Sequence, residues 1–237
     1  MNNTNATLSQ YARQLETSTQ VSQQITSILE LDTLLKAVVN LIQTKFEYYY
    51  VSVWLWDETH HNIVLHASAG RATGPEMEKG FVLSREYANG IIGTVCQRGS
   101  AQRVNDVSRN PLYIPIAALS HTRSELAVPL RIGSHTLGAL DIQSETQAAF
   151  DIQAVNVLQA LGDQVAIAIR NVELYTRVVH FNEELEAKVD ERTEELQRAY
   201  AQLELLDRNK SDFIQVVSHE LRTPLTLIQG HGQLLLL

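Results

Sequence analysis

The sequence predicts an α+β fold, in which an antiparallel sheet is flanked by helices and followed by a long coiled-coil helix. Two observations predict the α+β domain: runs of β-branched and aromatic residues are joined by short turns, and helical patterns bracket them at both ends. A third observation predicts the long helix, since residues 176–210 contain neither proline nor glycine and are highly charged. With 237 residues, 44% of them hydrophobic, the chain can bury one or two cores.

The amino-acid composition limits the classes of binding partner and the cellular compartment that we expect for this protein. Acidic residues outnumber basic ones, for a net charge of −8 without a basic block, so we expect no nucleic-acid partner. The one cysteine, Cys96, excludes an internal disulfide and fits a reducing compartment. No run of about 18 apolar residues occurs, and the N-terminus does not resemble a signal peptide. We therefore expect a cytoplasmic protein with no membrane segment.

Residues 1–30 form the first of four predicted segments. They are polar, with apolar side chains at roughly helical spacing in a background of serine, threonine and glutamine. The pattern predicts an N-terminal amphipathic helix whose apolar stripe needs a partner, and a loosely ordered leader is the alternative. The stripe consists of Leu8, Tyr11, Leu15, Ile25 and Ile28.

Residues 31–175 form the second segment, the predicted α+β domain. Asp32 is the expected N-cap of its first helix, whose apolar side chains recur on one side. The stretch YYYVSVWLWD then predicts a strand with Val51, Val53 and Leu55 on one face and the two tryptophans on the other. NIVLHASAG is its expected hairpin partner. The helix stripe consists of Leu34, Leu35, Val38, Val39, Ile42 and Phe46.

The stretch ELAVPLRIGSHTLGALDIQS predicts a second hairpin in the same domain. Its glycine-first pair, Gly133-Ser134, suits a type II′ turn. Pro129 cannot donate to a strand ladder, so we expect an edge position or a bulge there. Asp151 is the expected cap of the closing helix. One strand face consists of Leu126, Val128, Leu130 and Ile132, and the closing helix has a stripe of Ile152, Val155, Leu158, Val165, Ile169 and Val172.

Residues 176–210 form the third segment, a predicted coiled-coil helix. Apolar positions step by 4-3-4 up to Leu185, as in a heptad seam, and a second seam begins at Val189. The offset of four residues between the two seams is a stutter. So long a charged helix cannot bury its stripe alone, so we expect a parallel homodimer, with a single solvated helix as the alternative. The seams consist of Leu174, Val178, Phe181 and Leu185, and of Val189, Leu196, Leu203, Leu206, Phe213 and Val217.

The stretch SDFIQVVSHELRTPL places a histidine and a glutamate side by side on the continuing helix. His219 falls two residues past the seam position Val217, on a more exposed face, and a neutral imidazole is a competent nucleophile at cellular pH. Glu220 can accept the ring N–H and take up the proton released during attack. Thr223 lies one turn further along, where its hydroxyl can orient a water or a phosphoryl oxygen. Pro224 removes a helical hydrogen bond from a carbonyl one turn earlier, which predicts a weakened helix.

The longer match FIQVVSHELRTPLTLIQG resembles the phosphoacceptor box of two-component sensor histidine kinases. Residues 211–237 would then be the first helix of their dimerisation and phosphoacceptor domain, and residues 176–210 the signalling helix before it. The resemblance implies that His219 is phosphorylated and that Glu220 is its acid–base partner. It also implies that Thr223 aligns water in the reverse, phosphatase reaction, and that a response-regulator receiver domain is a partner.

Two parts of that family's catalytic apparatus are not found in the sequence: the second helix of the hairpin and the ATP-binding domain with its Gly-rich lid. We therefore expect no cofactor in this chain, with ATP and Mg²⁺ bound only by the missing catalytic domain. The chain then resembles an ATP-dependent protein-histidine kinase that cannot phosphorylate itself. It is expected to be either a fragment of a full kinase or a natural truncation.

Residues 31–175 resemble a GAF domain, a small-molecule sensor and dimerisation module. The resemblance rests on LDTLLKAVVNLI, on GIIGTVCQRGSAQRVNDVSRNPLY, and on RSELAVPL with LGALDIQS. It implies a pocket between the sheet and the central helix and loops, for a ligand that the sequence does not identify. The Asn-Lys-x-Phe-Asp-Glu motif of cyclic-nucleotide-binding members is not present. A purely dimerising domain without a ligand stays open.

Several side chains suggest a cofactor or a metal. Cys96 lacks a following histidine, so we interpret it as a buried small side chain rather than a bilin attachment site. His66, in a strand, and His135, in a turn, share no close spacing with His121, and no metal site is predicted. The pair His60-His61 falls in a predicted hairpin turn.

Asp106 and Asn110, before Pro111, resemble the loop that covers the pocket in GAF domains, and both are equally typical of turns. Together these features predict the sensor part of a two-component histidine kinase. An event in the GAF domain would change rotation or register in the dimeric coiled coil and so control His219. The alternative is a non-catalytic GAF adaptor, for dimerisation or ligand binding, with a vestigial acceptor box. A sensor coupled to some other output is disfavoured by the intact box.

Overall fold

A computed structural model of the protein divides the chain into two compact units, Met1–Thr176 and Arg177–Leu237. The described residues are 28–72, 74–83 and 89–234, without the side chains of Pro75, His219, Leu221 and residues 223–234. Most of the predicted N-terminal helix over 1–30 lies outside the described residues.

The first unit contains a six-stranded antiparallel sheet, and the predicted α+β class is confirmed. The sheet order is β3-β2-β1-β6-β5-β4. The strands are β1 (Tyr50–Trp56), β2 (Ile63–Gly70), β3 (Val82–Leu83), β4 (Gln102–Val104), β5 (Ser124–Ile132) and β6 (His135–Ser144). The helices are α1 (Leu31–Phe46), α2 (Ile91–Arg98) and α3 (Ile152–Leu234), and short 3₁₀ turns cover Pro75–Met77, Val107–Arg109 and Ala117–Leu119.

Helix α1 begins at Leu31, two residues earlier than a cap at Asp32 would require, and that prediction is wrong. Glu30 has extended backbone and is the N-cap, because its carboxylate accepts the N–H groups of Asp32, at 3.1 Å, and Thr33, at 2.8 Å. Asp32 instead lies in the first turn, where its carboxylate pairs with Lys79. The predicted apolar stripe of α1 is buried up to Ile42.

The two predicted hairpins are present, with β1 paired to β2 and β5 paired to β6. Gly133 has a φ of 60°, and Ser134 is not among the residues with positive φ, as a type II′ turn requires. Pro129 lies past the end of β4, which pairs only with Glu125–Ala127, and just before a bulge. The edge position and the bulge that the sequence predicts for this proline are therefore both found. Ile132 lies at the hairpin end beyond the bulge and is exposed, contrary to its expected place on the buried face.

The sheet is covered on both faces, which decides where a ligand could enter. On the first face, Val51 and Val53 of β1 and Leu126 of β5 pack against α1 and the start of α3. On the second face, Trp54 and Ala139 pack against α2 and the 3₁₀ turn Val107–Arg109. The predicted alternation of β1 is confirmed, because its valines and its tryptophans fall in different cores.

Helix α3 begins at the predicted cap, since Asp151 Oδ1 accepts the Ala154 N–H at 2.7 Å. It lies close against β5 at Gly162, where an added Cβ would be 3.2 Å from Val128 and 3.3 Å from the Pro129 carbonyl oxygen. Most of the predicted stripe is buried, but Ile152, directly after the cap, is exposed and does not join the core.

One window of the helical stretch Ile152–Ser218 is long and apolar enough to cross a membrane by length and composition alone. Half of that window is buried inside the protein, as in the core helix of a soluble domain.

Candidate functional site

The acceptor sequence SHELRTPL lies on helix α3, which continues through Pro224 to Leu234. Glu220 is exposed. The side chains of His219 and Thr223 lie outside the described residues, so their roles stay predictions. The backbone places the two residues one turn apart on a single helix.

The predicted seam lies on the same helix, and its apolar side chains are exposed in the single chain. Apart from Val217, which is half-buried, each keeps between 45% and 68% of its surface in contact with solvent. Such a row of apolar side chains on a charged helix is unusual unless a partner covers it. The exposed members are Leu174, Val178, Phe181, Leu185, Val189, Leu196, Leu203, Leu206 and Phe213.

A second candidate site is a cavity of about 40 Å³ on the second face of the sheet. It lies between the sheet, the start of α2 and the loop that carries Leu112 to Leu119, which is where the GAF resemblance implies a pocket. The volume corresponds to about three water-sized groups. The lining residues are Trp54, Leu83, Gly90, Ile91, Ile92, Leu112, Tyr113, Ile114, Ile116, Leu119, Glu125 and Gln143.

A buried polar network lies on the sheet at this cavity. The Trp54 indole N–H donates to Ser52 Oγ at 2.9 Å, and the Ser52 hydroxyl donates to Asp141 Oδ2 at 3.2 Å. The Gln143 amide donates to the same Asp141 oxygen at 3.0 Å and accepts from the Thr122 hydroxyl at 2.6 Å. Network members satisfy one another and keep few free hydrogen-bonding atoms.

Glu125 and Asp141 form a carboxyl pair within this network. They are 4% and 1% exposed, and Asp141 Oδ1 finds no donor among the N–H and hydroxyl groups of the described residues. Burial raises the pKa of Glu125 well above its usual range, and the negative charge of Asp141 raises it further. Burial also raises the pKa of Asp141, against the donors Gln143, Glu125 and Ser52. The pair therefore holds a proton, and a protonated Glu125 supplies the donor that Oδ1 lacks.

The side chains singled out for cofactor or metal binding are accounted for by structure. Cys96 is buried on α2, and burial raises the pKa of its thiol to about 12, so it is an unreactive core residue. His66 lies in β2 as predicted, and burial lowers the pKa of its imidazole. His121 and His135 are exposed. Among the described residues, no group of three or more histidine, cysteine or acidic side chains is arranged to hold a metal.

Asp106 and Asn110 act as turn formers. Asp106 accepts the Ser108 N–H at 3.0 Å, and Asn110 accepts the Leu112 N–H at 2.8 Å. Asn110 thereby shapes the loop over the cavity without lining it. His60 lies in the hairpin turn as predicted, and its ring stacks on Trp56 and lies 5.6 Å from that of His135, a proximity that sequence spacing does not reveal.

Sequence reasoning missed the polar network. Ser52, Glu125 and Asp141 are polar residues at inward positions of β1, β5 and β6, and each is followed along its strand by a side chain of the first-face core. A polar residue at an inward position of a sheet that is covered on both faces was the available signal.

We expect the carboxyl pair to make stability depend on pH. Because the unfolded chain releases its Glu125 proton near pH 4.3 and the folded chain keeps it, folded protein binds more protons above that pH. Stability is therefore greatest at low pH within this window and falls as pH rises through the raised pKa. Glu125→Gln should remove this loss and stabilise the first unit by about 1–3 kcal/mol at pH 8.

Urea unfolding at pH 5 and pH 8, followed by tryptophan fluorescence, measures the difference. Glu145→Gln is the matched control, since Glu145 is exposed beside Arg71 and its replacement removes the same charge. Equal pH dependence in wild type and Glu125→Gln would show that the pair does not hold the extra proton.

Family comparisons agree with this arrangement. The profile of the GAF domain matches residues 29–170, and the profile of the His Kinase A (phospho-acceptor) domain matches residues 209–237. The fold is also similar to that of the GAF domain from a phosphoenolpyruvate-protein phosphotransferase of Coxiella burnetii, with a TM-score of 0.63 and 22% identity. That likeness covers 70% of this chain and 98% of the solved chain.

Among curated proteins, the circadian input-output histidine kinase CikA of Thermosynechococcus vestitus is 30% identical over 228 residues, which cover 92% of this chain and 31% of the relative. The sensor histidine kinase AruS of Pseudomonas aeruginosa is 49% identical over 53 residues, which cover 22% of this chain and 5% of AruS. The chain thus spans a third or less of the length of these relatives. It belongs to the GAF domain family, is homologous to sensor histidine kinases, and joins its GAF domain to a segment of the histidine-kinase phosphoacceptor domain.

Proposed function

We propose that the chain is the sensing and phosphoacceptor part of a cytoplasmic two-component histidine kinase. The GAF domain senses a small molecule, helix α3 transmits the signal, and His219 accepts a phosphoryl group for relay to the receiver domain of a response regulator. ATP and Mg²⁺ bind to a separate catalytic domain.

One observation carries this proposal: a single helix packs into the GAF core at its start and contains the acceptor sequence further along. Helix α3 contributes Leu158, Val165 and Ile169 to the first-face core. The same helix continues without interruption to His219 and Thr223. A displacement at its start therefore has a direct covalent route to the acceptor.

The chemistry at His219 is a transfer between two nucleophiles. An imidazole nitrogen attacks the γ-phosphorus of ATP, a nitrogen–phosphorus bond forms, and the bond to the ADP oxygen breaks. Glu220 accepts the proton from the other ring nitrogen, which keeps the attacking nitrogen unprotonated. The response regulator then takes the phosphoryl group on a carboxylate, and Thr223 orients water in the reverse reaction.

The exposed seam supports a parallel homodimer as the transmitting assembly. Its two frames are offset between Leu185 and Val189, and helices paired there can adopt either of two registers. An event in the GAF domain would favour one register and so change the presentation of His219.

We expect one residue inserted at position 187 to reduce labelling of His219 by about tenfold. The insertion rotates everything beyond it by about 100° relative to the GAF domain, which corresponds to a coupling energy of about 1.4 kcal/mol if register is transmitted. The measurement is incorporation of labelled phosphate from ATP, with a histidine-kinase ATP-binding domain supplied separately.

An insertion of seven residues at the same position is the matched control, because one heptad makes two full helical turns and restores the original face. Equal labelling in the one-residue and seven-residue variants would contradict transmission through register. The acceptor itself is tested by loss of label in His219→Gln.

A further inference from the structure

We propose that the cavity of the GAF domain binds a small protonated amine, whose ammonium group pairs with the Glu125 carboxylate. This inference deepens the proposed sensor function and rests on it for any effect on His219, whereas the binding itself can be tested alone.

The first reason is a buried carboxyl that faces the cavity without a cation. Glu125 lines the cavity and is almost fully buried. Among the described residues, its polar neighbours are the carboxyl of Asp141, which carries the same sign of charge when ionised, and the hydroxyl of Tyr113, whose pKa is raised by burial and further by the Glu125 charge. A buried acid usually has a cationic or N–H partner, and none is present within this part of the protein.

The second reason is that the other polar atoms of the network are already engaged. Gln143 donates to Asp141 and accepts from Thr122, and Ser52 links Trp54 to Asp141. Asp141 Oδ1 has a donor only while Glu125 is protonated, and loses it when Glu125 ionises. A ligand therefore meets one strong site, an acidic one that needs hydrogen-bond donors and positive charge.

The remaining wall selects the rest of the ligand. Trp54, Ile92, Leu112 and Ile114 are apolar, and they favour an alkyl group next to the ammonium. The aromatic ring of Tyr113 also lines the cavity and can stabilise a cation. Phosphates and carboxylates would be repelled by the acid pair, so anionic ligands such as nucleotides are excluded as a class.

The cavity volume sets the size of the bound group. About 40 Å³ holds about three water-sized groups, which matches the three heavy atoms of ethylammonium. A larger amine can place its head group here only if the loop from Leu112 to Leu119 moves outward.

Binding displaces a proton, and the charges balance. The empty pair holds one proton between Glu125 and Asp141. When the ammonium group arrives, Glu125 releases its proton to solvent, so the carboxylates of Glu125 and Asp141 face one ammonium group and the site keeps its net charge of −1. Affinity should therefore rise as the pH rises from 6 to 8, where alkylammonium groups stay protonated as lysine does.

The experiment is an NMR titration of the full chain with ethylammonium chloride, followed at the tryptophan indole N–H resonances. Trp54 and Trp56 are the two tryptophans, so Trp56→Phe assigns the signal, and only Trp54 donates to the network. A ligand with three heavy atoms binds with a Kd of about a millimolar at best, which sets the concentration range. We expect a saturable shift of the Trp54 resonance with ethylammonium and none with ethanol, its neutral counterpart of equal size.

Glu125→Gln should lower the affinity at least tenfold, while Glu145→Gln, which removes an exposed charge, should leave it unchanged. A thermal melt confirms that Glu125→Gln is folded, and Asp141→Asn provides a second variant within the pair. Three results would overturn the proposal: no saturable shift in the wild type, equal binding of ethanol, or retained affinity in folded Glu125→Gln. If amine binding fails but His219 is still phosphorylated, the sensor function stands with a different ligand; the opposite result removes the acceptor function and keeps the binding site.

Discussion

Replacement of His219 by glutamine should abolish transfer of phosphate from ATP to this chain. Glutamine is close to histidine in size and suits a helix, but its amide nitrogen is not a nucleophile, so no nitrogen–phosphorus bond can form. The assay mixes the chain with a separately produced histidine-kinase ATP-binding domain and labelled ATP. We expect label that is acid-labile and base-stable in the wild type, as a phosphohistidine is, and complete loss of that label in His219→Gln.

His180→Gln is the matched control, because His180 is exposed on the same helix beside Glu183. It should be labelled like the wild type. Label that survives in His219→Gln would assign the acceptor to another residue and contradict the proposed function. Absence of label in every chain would call for a variant that adds the second hairpin helix, and continued absence there would favour the non-catalytic adaptor.

Gly138→Ala should cause the largest loss of stability in the first unit. A Cβ at this position would lie 1.9 Å from the Trp54 carbonyl oxygen and 2.8 Å from the Leu55 Cα, far inside van der Waals contact. Both neighbours are backbone atoms of the central strand β1, which pairs with β6 here, and they cannot move aside as a flexible side chain would. We expect a loss of about 3–5 kcal/mol in the free energy of unfolding, or failure to fold.

Gly133→Ala tests the same hairpin without the clash. Gly133 has a φ of 60° with no atom within 4 Å of an added Cβ, so alanine there adds only the strain of left-handed backbone, about 1–2 kcal/mol. Urea unfolding of both variants, followed by fluorescence of Trp54 and Trp56 in β1, gives the comparison. A Gly138→Ala midpoint equal to or above that of Gly133→Ala would contradict the close approach of β6 to β1.

Local patterns in the sequence predict much of this fold. Alternation assigned the two faces of β1, a glycine-first pair predicted the turn at Gly133, and an aspartate predicted the start of α3. These features depend on residues within a few positions of one another. The N-cap of α1 was also assigned from neighbouring residues, but to the wrong one. Aspartate is the usual N-cap residue, whereas here the longer side chain of Glu30, directly before the helix, accepts the N–H groups of the first turn.

The missed features depend on pairing between distant segments. Strands β3 and β4 have two and three residues, too few for a periodic signal, and they form because neighbouring strands offer them a free edge. The carboxyl pair likewise joins Glu125 to Asp141 across two strands, and no spacing along the chain indicates that both are buried. Exposure of Ile132 and Ile152 follows from their places at the ends of elements, where the core no longer covers them.

Strand β5 presents Glu125 to the cavity and Leu126, the next residue, to the core beneath α3. At Gly162 the same strand and α3 pack closely, and we expect a shift of one to displace the other. If the proposed ligand shifts β5 when it binds, occupancy of the cavity and placement of the helix are thermodynamically linked, and such linkage is reciprocal. Any event that displaces α3 from β5 must change the affinity of the cavity for its ligand by the same factor by which the ligand opposes that displacement. The position of α3 could then be measured as a change in the apparent dissociation constant of the cavity ligand.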